Sequence, residues 1–290
     1  MNRAILIILL TFWKIVMIFP RKAHLLFANL LGFLFLISGN KRNKYSKINI
    51  EMCFPELSQQ EQNAIYRKNI ISSGKVLFDT GSAWFWSNTR VNKSIPYKIN
   101  GLDELINEQR LRNGVLLFFK HSLHLELDAR ILGLNAEIYG VEREHNSKYF
   151  QAIQKNGRLK SMQGVVDRKN ILGFIKLLKN GKTLLYAPDQ DYGMKNSNEV
   201  KFFNLPAATI SAPLKIVQNT NSKTFFLNSY IKNGVLILDI EKLKLDHSSE
   251  FNFSEDLNKY IENKIRLSPH EYLWQHRRFK STLGKENIYK

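Results

Sequence analysis

From about Asn100 onward, short apolar runs alternate with segments of helical period, and this alternation constrains the fold more than any other feature of the chain. "GVLLFF" (114–119), "TLLYA" (183–187), "TFFLNSYI" (224–231) and "VLILDI" (235–240) read as strands. The last two are joined by Lys232-Asn233-Gly234, where Asn-Gly predicts a hairpin. Helical pattern covers at least Ile131 to Leu134, Asn170 to Leu178 and Ser254 to Leu267. Strands alternating with helices predict an α/β fold with a mixed sheet flanked by helices. Upstream, Ser46 to about Asn88 is helical in pattern, and "SQQE" (58–61) is a capping box. With 290 residues, 44% of them hydrophobic, the chain can bury one large core or two small ones.

The amino terminus is of another kind. "AILIILLTFWKIVMIF" (4–19) and "AHLLFANLLGFLFLIS" (23–38) are apolar runs, each somewhat shorter than the ~20 residues that span a bilayer. The first ends in Phe19-Pro20-Arg21, without the small residues of a cleavage site. Two readings stand: one tilted transmembrane anchor, or a helical hairpin half-immersed in one leaflet. Arg21, Lys22, Lys41, Arg42 and Lys44 would keep the rest of the chain in the cytoplasm. The expected organisation is a membrane anchor at 1–40 and a cytoplasmic domain at 41–290, with a helical lead-in at 41–100 and an α/β core at 101–290. The net charge of +18 predicts attraction to an anionic partner: nucleic acid, anionic lipid or an acidic protein. No RNP-type or basic-run motif supports nucleic acid. The lone Cys53 excludes an internal disulfide.

Several chemistries lack their motif. There is no G-x-G-x-x-G, no complete P-loop around Gly181-Lys182-Thr183, no G-x-S-x-G, no H-E-x-x-H and no cysteine cluster. What remains is "KHSLHLELDAR" (120–130). If the strand ends at His121 and a helix starts with Ser122 as its N-cap, His121 stands at the carboxyl edge of a sheet, where α/β folds place ligands. Glu126, one turn into the helix, could then reach the imidazole and make it a general base for a hydroxyl. His124 and Asp128, four apart, could face each other on that helix. An ordinary strand-to-helix junction, or a metal site from His121, His124 and Glu126, are the other readings.

Further polar groups gather in three places. "YAPDQDYG" (186–193) puts Asp189 and Asp191 after a strand. "NGRLKSMQGVVDRKN" (156–170) offers Arg158 and Arg168, whose forked guanidinium groups suit phosphate, carboxylate or an oxyanion. "SPHEYLWQHRRFK" (268–280) reads as an amphipathic helix packing its aromatics on the core, with its arginines at an anion-binding edge.

As a set, "INIEMCFPELSQQE", "DTGSAWFW", "GVLLFFKHSLHLELDAR", "GRLKSMQGVVDRKN", "LLYAPDQDYG", "PAAT" and "PHEYLWQHRRFK" resemble the late acyltransferases of lipid A biosynthesis, above all their Kdo2-lipid IVA lauroyl-type members. The stretches follow the family's order from about Lys41 to Lys280. The resemblance implies a glycerolipid-acyltransferase-like fold at the bacterial inner membrane, with its catalytic domain on the cytoplasmic side. It implies acyl transfer from the acyl carrier protein thioester to a hydroxyl of an anionic glycolipid acceptor, with no further cofactor and no metal. The family's His-x4-Asp/Glu motif falls on His121 and Glu126 as a catalytic dyad. Arg158 matches the family's "GR" arginine; Arg168, Asp189 and Asp191 match recurrent positions and are candidate substrate contacts. Ser122 and His124 depart from the family's usual residues. A lysophospholipid or another glycolipid as acceptor, or a non-catalytic membrane scaffold, are the alternatives.

Overall fold

The computed structural model describes residues 3–289. Six helices lead in: α1 (Arg3–Val16), α2 (Arg21–Ser38), α3 (Lys41–Cys53), α4 (Gln59–Ser73), α5 (Lys75–Phe85) and α6 (Asn88–Ser94). Then come β1 (Tyr97–Asn100), α7 (Leu102–Arg110), β2 (Val115–Phe119), α8 (Leu125–Asn135), β3 (Tyr139–Glu142), α9 (Lys148–Arg158), β4 (Gly164–Asp167), α10 (Ile171–Lys179) and β5 (Thr183–Tyr186). A small antiparallel pair, β6 (Ser197–Phe202) and β7 (Leu205–Ile210), precedes α11 (Ala212–Thr220), β8 (Lys223–Lys232), β9 (Val235–Lys242), α12 (Glu250–Leu267) and α13 (Lys285–Ile288).

Seven strands form one mixed sheet in the order β1-β9-β8-β2-β5-β3-β4. Within it β8 and β9 are antiparallel and every other neighbouring pair is parallel. The expected hairpin is present. Lys232 pairs with Val235 across Asn233 and Gly234, whose φ angles of 52° and 78° give the positive-φ turn that Asn-Gly favours. The capping box at Ser58 and Glu61 also forms.

Both faces of the sheet are covered, which is why β2 and β5 are continuous apolar runs rather than alternating ones. On one face Leu116, Phe118, Leu184, Tyr186 and Phe226 pack with residues of α3, α10, α11 and α12. On the other Val115, Leu117, Leu185, Phe225 and Leu227 pack with residues of α5, α7 and α8. The helix that follows β2 therefore lies on one face, while the chain that follows its neighbour β5 joins the core on the opposite face. A crevice opens at the carboxyl ends of two such strands, the usual ligand position in open α/β sheets.

Some expectations need correction. Ser122 does not cap α8; the helix starts at Leu125, with His124 at the cap position and no side-chain capping bond. The 268–280 segment is not an amphipathic helix. It has one short turn at Pro269–Glu271 and a single bridge between Ser122 and Tyr272, and then continues irregularly. Its aromatics Tyr272, Trp274 and Phe279 are nevertheless core residues.

Candidate active site

The site is built by strand register. β2 and β5 run parallel, with Val115 opposite Thr183 and Phe118 opposite Tyr186. The same offset carried three residues past the last pair sets position 121 against 189. The side chains meet there: His121 Nδ1 lies 2.6 Å from Asp189 Oδ1, and the His121 backbone N–H donates to Asp189 Oδ2 at 2.8 Å. Asp189 is wholly buried, whereas the His121 side chain keeps 17% of its surface exposed. Burial would raise the Asp189 carboxyl, but the imidazole's charge and the two bonds from His121 outweigh it and push Asp189 down to about 2. An ionised carboxylate can only accept, so Nδ1 is held as the donor, and in the neutral ring Nε2 is then the nitrogen with the lone pair that a general base needs.

Glu126 does not serve His121 in this arrangement. Its carboxylate accepts from Trp84 Nε1 at 2.8 Å and from Arg158 Nη2 at 2.5 Å and Nε at 3.2 Å. Arg158, the last residue of α9, also donates through Nη1 to Glu142 at the end of β3, at 3.1 Å. Burial alone would lower the Arg158 pKa; the two carboxylates outweigh it and raise it, so the guanidinium is held charged. Three of its five N–H groups are used in these bonds, which leaves two for a substrate oxygen. Trp84 is itself fixed from below, because Gly157 leaves it no room to drop: a Cβ there would lie 2.5 Å from Trp84 Cγ.

The loop that carries His121 is clamped from two directions. Leu273 N–H donates to the His121 carbonyl and Leu123 N–H to the Glu271 carbonyl, both at 2.9 Å. This strap is tied to α4 by Asn69, whose amide donates to the carbonyls of His270 and Tyr272. Beneath it, Asp128 accepts from Ser122 Oγ at 2.6 Å and Ser229 Oγ at 2.7 Å, and sits 2.7 Å from His124 Nδ1. His124 and Asp128 do face each other, but neither is on the helix surface; both are buried. Burial would lower His124, yet Asp128 and Glu271 prevail and raise it to about 9, so this imidazole is cationic. Lys120, equally buried, donates to the Ser229 carbonyl at 2.8 Å.

The other candidates divide. Asp191 is buried, and its oxygens accept from Gly193 N–H, Ser281 N–H and Ser281 Oγ–H, which fastens the carboxy-terminal segment. Arg168 is half-buried, with its guanidinium 5.4 Å from the Tyr192 ring. The arginines of the last segment do not form an anion-binding edge together: Arg278 is buried against Ala208 and Thr209, and Arg277 lies over Tyr45. Among the described residues no group of three His, Cys, Asp or Glu could hold a metal ion.

An apolar groove of about 1060 Å³ runs between α1, α2 and α5 to residues that adjoin the site. Its inner end includes Trp84, which holds Glu126, and Leu123 and Leu273, which flank His121. Trp13, Trp84 and Phe150 line it as an edge-to-face aromatic series. A smaller polar depression, about 410 Å³, lies at the opposite edge of the sheet beside Thr183, away from His121.

Residues 1–281 match the family model for bacterial lipid A biosynthesis acyltransferases. Among curated proteins, the lipid A biosynthesis lauroyltransferase of Escherichia coli (strain K12) is 34% identical over 87% of this chain and 83% of its own length. The lipid A biosynthesis palmitoleoyltransferase of the same strain is 30% identical over 86% and 82%. A lipid A biosynthesis acyltransferase of Haemophilus influenzae is 33% identical over 93% and 88%. The solved 1-acyl-sn-glycerophosphate acyltransferase PlsC of Thermotoga maritima aligns with 85% of this chain and 95% of its own at 16% identity, with a TM-score of 0.36. That overlap is too loose to transfer residues.

Proposed function

We propose a specific reaction for this chain, which belongs to the bacterial lipid A biosynthesis acyltransferase family and is an acyltransferase of lipid A assembly: it moves a fatty acyl group from the thioester of acyl carrier protein to a hydroxyl of an anionic Kdo2-lipid IVA-type precursor, at the cytoplasmic face of the inner membrane. His121 Nε2 takes the proton of the acceptor hydroxyl as its oxygen attacks the thioester carbonyl. Asp189 holds the imidazole in the required tautomer and balances its positive charge. The tetrahedral oxyanion is met by the two remaining Arg158 donors or by backbone amides at the head of α8, which helix geometry leaves without intrahelical partners. Collapse expels the carrier thiolate, which takes up the proton from His121. Glu126 completes the site by fixing Arg158 and Trp84, so the two residues of the His-x4-Glu motif act in different halves of it.

The observation that carries this reading is the His121–Asp189 pair together with an apolar groove, able to receive an acyl chain, whose lining includes Leu273, bonded to the His121 carbonyl, and Trp84, bonded to Glu126. The basic surface suits three acidic clients: the phosphorylated acceptor, the anionic leaflet and the carrier protein. Of the family's acyl specificities we favour the lauroyl type, on the motif set from Lys41 to Lys280. Mass spectrometry of lipid A from cells lacking and regaining this gene tests it. Loss and return of a secondary C12 chain supports the assignment; a C16:1 chain assigns the palmitoleoyl type; no change in lipid A removes the proposal.

A further inference from the structure

The two apolar helices at the amino terminus expose large hydrophobic side chains, among them Ile8, Phe12 and Ile18 on and after α1 and Leu26, Leu30 and Ile37 on α2. Three observations decide how such a surface can meet lipid. First, α2 is docked along its length. His24, Ala28 and Gly32 form a buried stripe. A Cβ at Gly32 would stand 2.0 Å from the Ile71 carbonyl oxygen, and one at Gly74 2.1 Å from that of Ala28. The backbone of α2 thus touches that of α4 and α5. α4 carries exposed Glu61, Arg67 and Lys68 and belongs in water, so a helix fastened to it cannot cross the hydrocarbon core.

Second, the turn between α1 and α2 is also on the domain. Trp86 Nε1 donates to the Met17 carbonyl at 2.8 Å, Arg90 donates to those of Ile18 and Phe19, and Arg21 pairs with buried Asp79 at 2.6 Å. Third, basic residues stand at both ends of α2: Arg21 and Lys22 in its first turn, Lys41, Arg42 and Lys44 after it. The positive-inside bias then places both ends on the cytoplasmic side. α1, at 14 residues about 21 Å long, is too short for a ~30 Å core.

We infer that α1 and α2 lie in a single leaflet as a monotopic platform, with one side on the catalytic domain and the other in acyl chains, so that the groove between them opens directly to lipid. The identity of the acyl-bearing substrate rests on the function proposed above; the topology does not. Polar groove residues Asn40, Arg42 and Asn43 stand at one end of α2, where the leaflet's headgroups would meet the protein.

The test uses full-length protein in vesicles of phosphatidylethanolamine and phosphatidylglycerol, in a Cys53→Ala background because Cys53 is the chain's one thiol. Lys22→Cys and Lys41→Cys, both at exposed positions, are probed with a membrane-impermeant maleimide. The expected result is that both label from the side on which the catalytic domain is cut by protease. Labelling of the two from opposite sides overturns the inference. So does failure to float with vesicles, and a soluble dimer under those conditions would show that a second copy covers the face instead. Acyl transfer assayed in detergent on the same variants reports on the reaction separately.

Discussion

Replacing Asp189 with Asn separates its proposed role from that of Glu126. The carboxylate accepts twice from one residue, from His121 N–H and from Nδ1–H. An amide has one acceptor oxygen. When that oxygen takes the backbone N–H, the NH₂ group faces Nδ1 and donates to it. The proton then moves to Nε2, where the base must be bare. A wrong-tautomer substitution of this kind in a Ser-His-Asp triad lowers kcat by about 10⁴-fold, which is about 5.5 kcal/mol of transition-state stabilisation. Asp189→Asn is expected to fall by at least ~10³-fold in kcat with a small change in KM, because the pair touches the reacting proton and not the acyl chain. Transfer of radiolabelled acyl groups from acyl carrier protein to purified glycolipid, with circular dichroism as the folding control, gives both constants. A folded Asp189→Asn protein within tenfold of wild type would refute the tautomer argument, and a larger loss in Glu126→Gln than in Asp189→Asn would return the orienting role to Glu126.

Other outcomes follow from the same geometry. Arg158→Met leaves half-buried Glu126 and buried Glu142 without their cation; thermal unfolding should shift down by about 3 °C, from roughly 2 kcal/mol lost, and Arg158→Lys should not restore activity because it lacks the fork. His124 is raised in the folded state, so its contribution to stability is fully present below the ordinary imidazole value near ~6.5 and is lost as pH rises through about 9. Urea midpoints of wild type should therefore decline across that window, while those of a folded His124→Gln variant stay flatter. Gly157→Ala forces Trp84 away from Glu126 and should lower turnover more than it lowers the unfolding midpoint, as paired kinetics and calorimetry would show.

Much of this was readable from the chain because local rules and tertiary structure agree there. The Asn233-Gly234 hairpin and the Ser58 capping box are set by a few adjacent residues, and β2, β5, β8 and β9 announce themselves as apolar runs. His121 is legible as the polar residue that ends such a run. Its partner is not, because Asp189 lies 68 positions away and meets it only through the β2–β5 register. Glu126 was the nearer candidate in sequence, and only the position of α9, which brings Arg158 to it, turns it elsewhere. β3 and β4 escape notice because "YGVE" and "GVVD" have four residues each and no apolar run. The burial of His124 and Asp128 is hidden for a similar reason: helix spacing pairs them, but Ser229 on β8 and the 271–274 strap are what enclose them.

The proposed transfer turns on one group, the Nε2 lone pair of His121. Single-turnover transfer from lauroyl-loaded acyl carrier protein to the glycolipid acceptor by His121→Ala tests it most directly. The expected result is an intact, folded protein with transfer lowered by at least ~10³-fold at every pH tried; turnover within tenfold of wild type would contradict the mechanism.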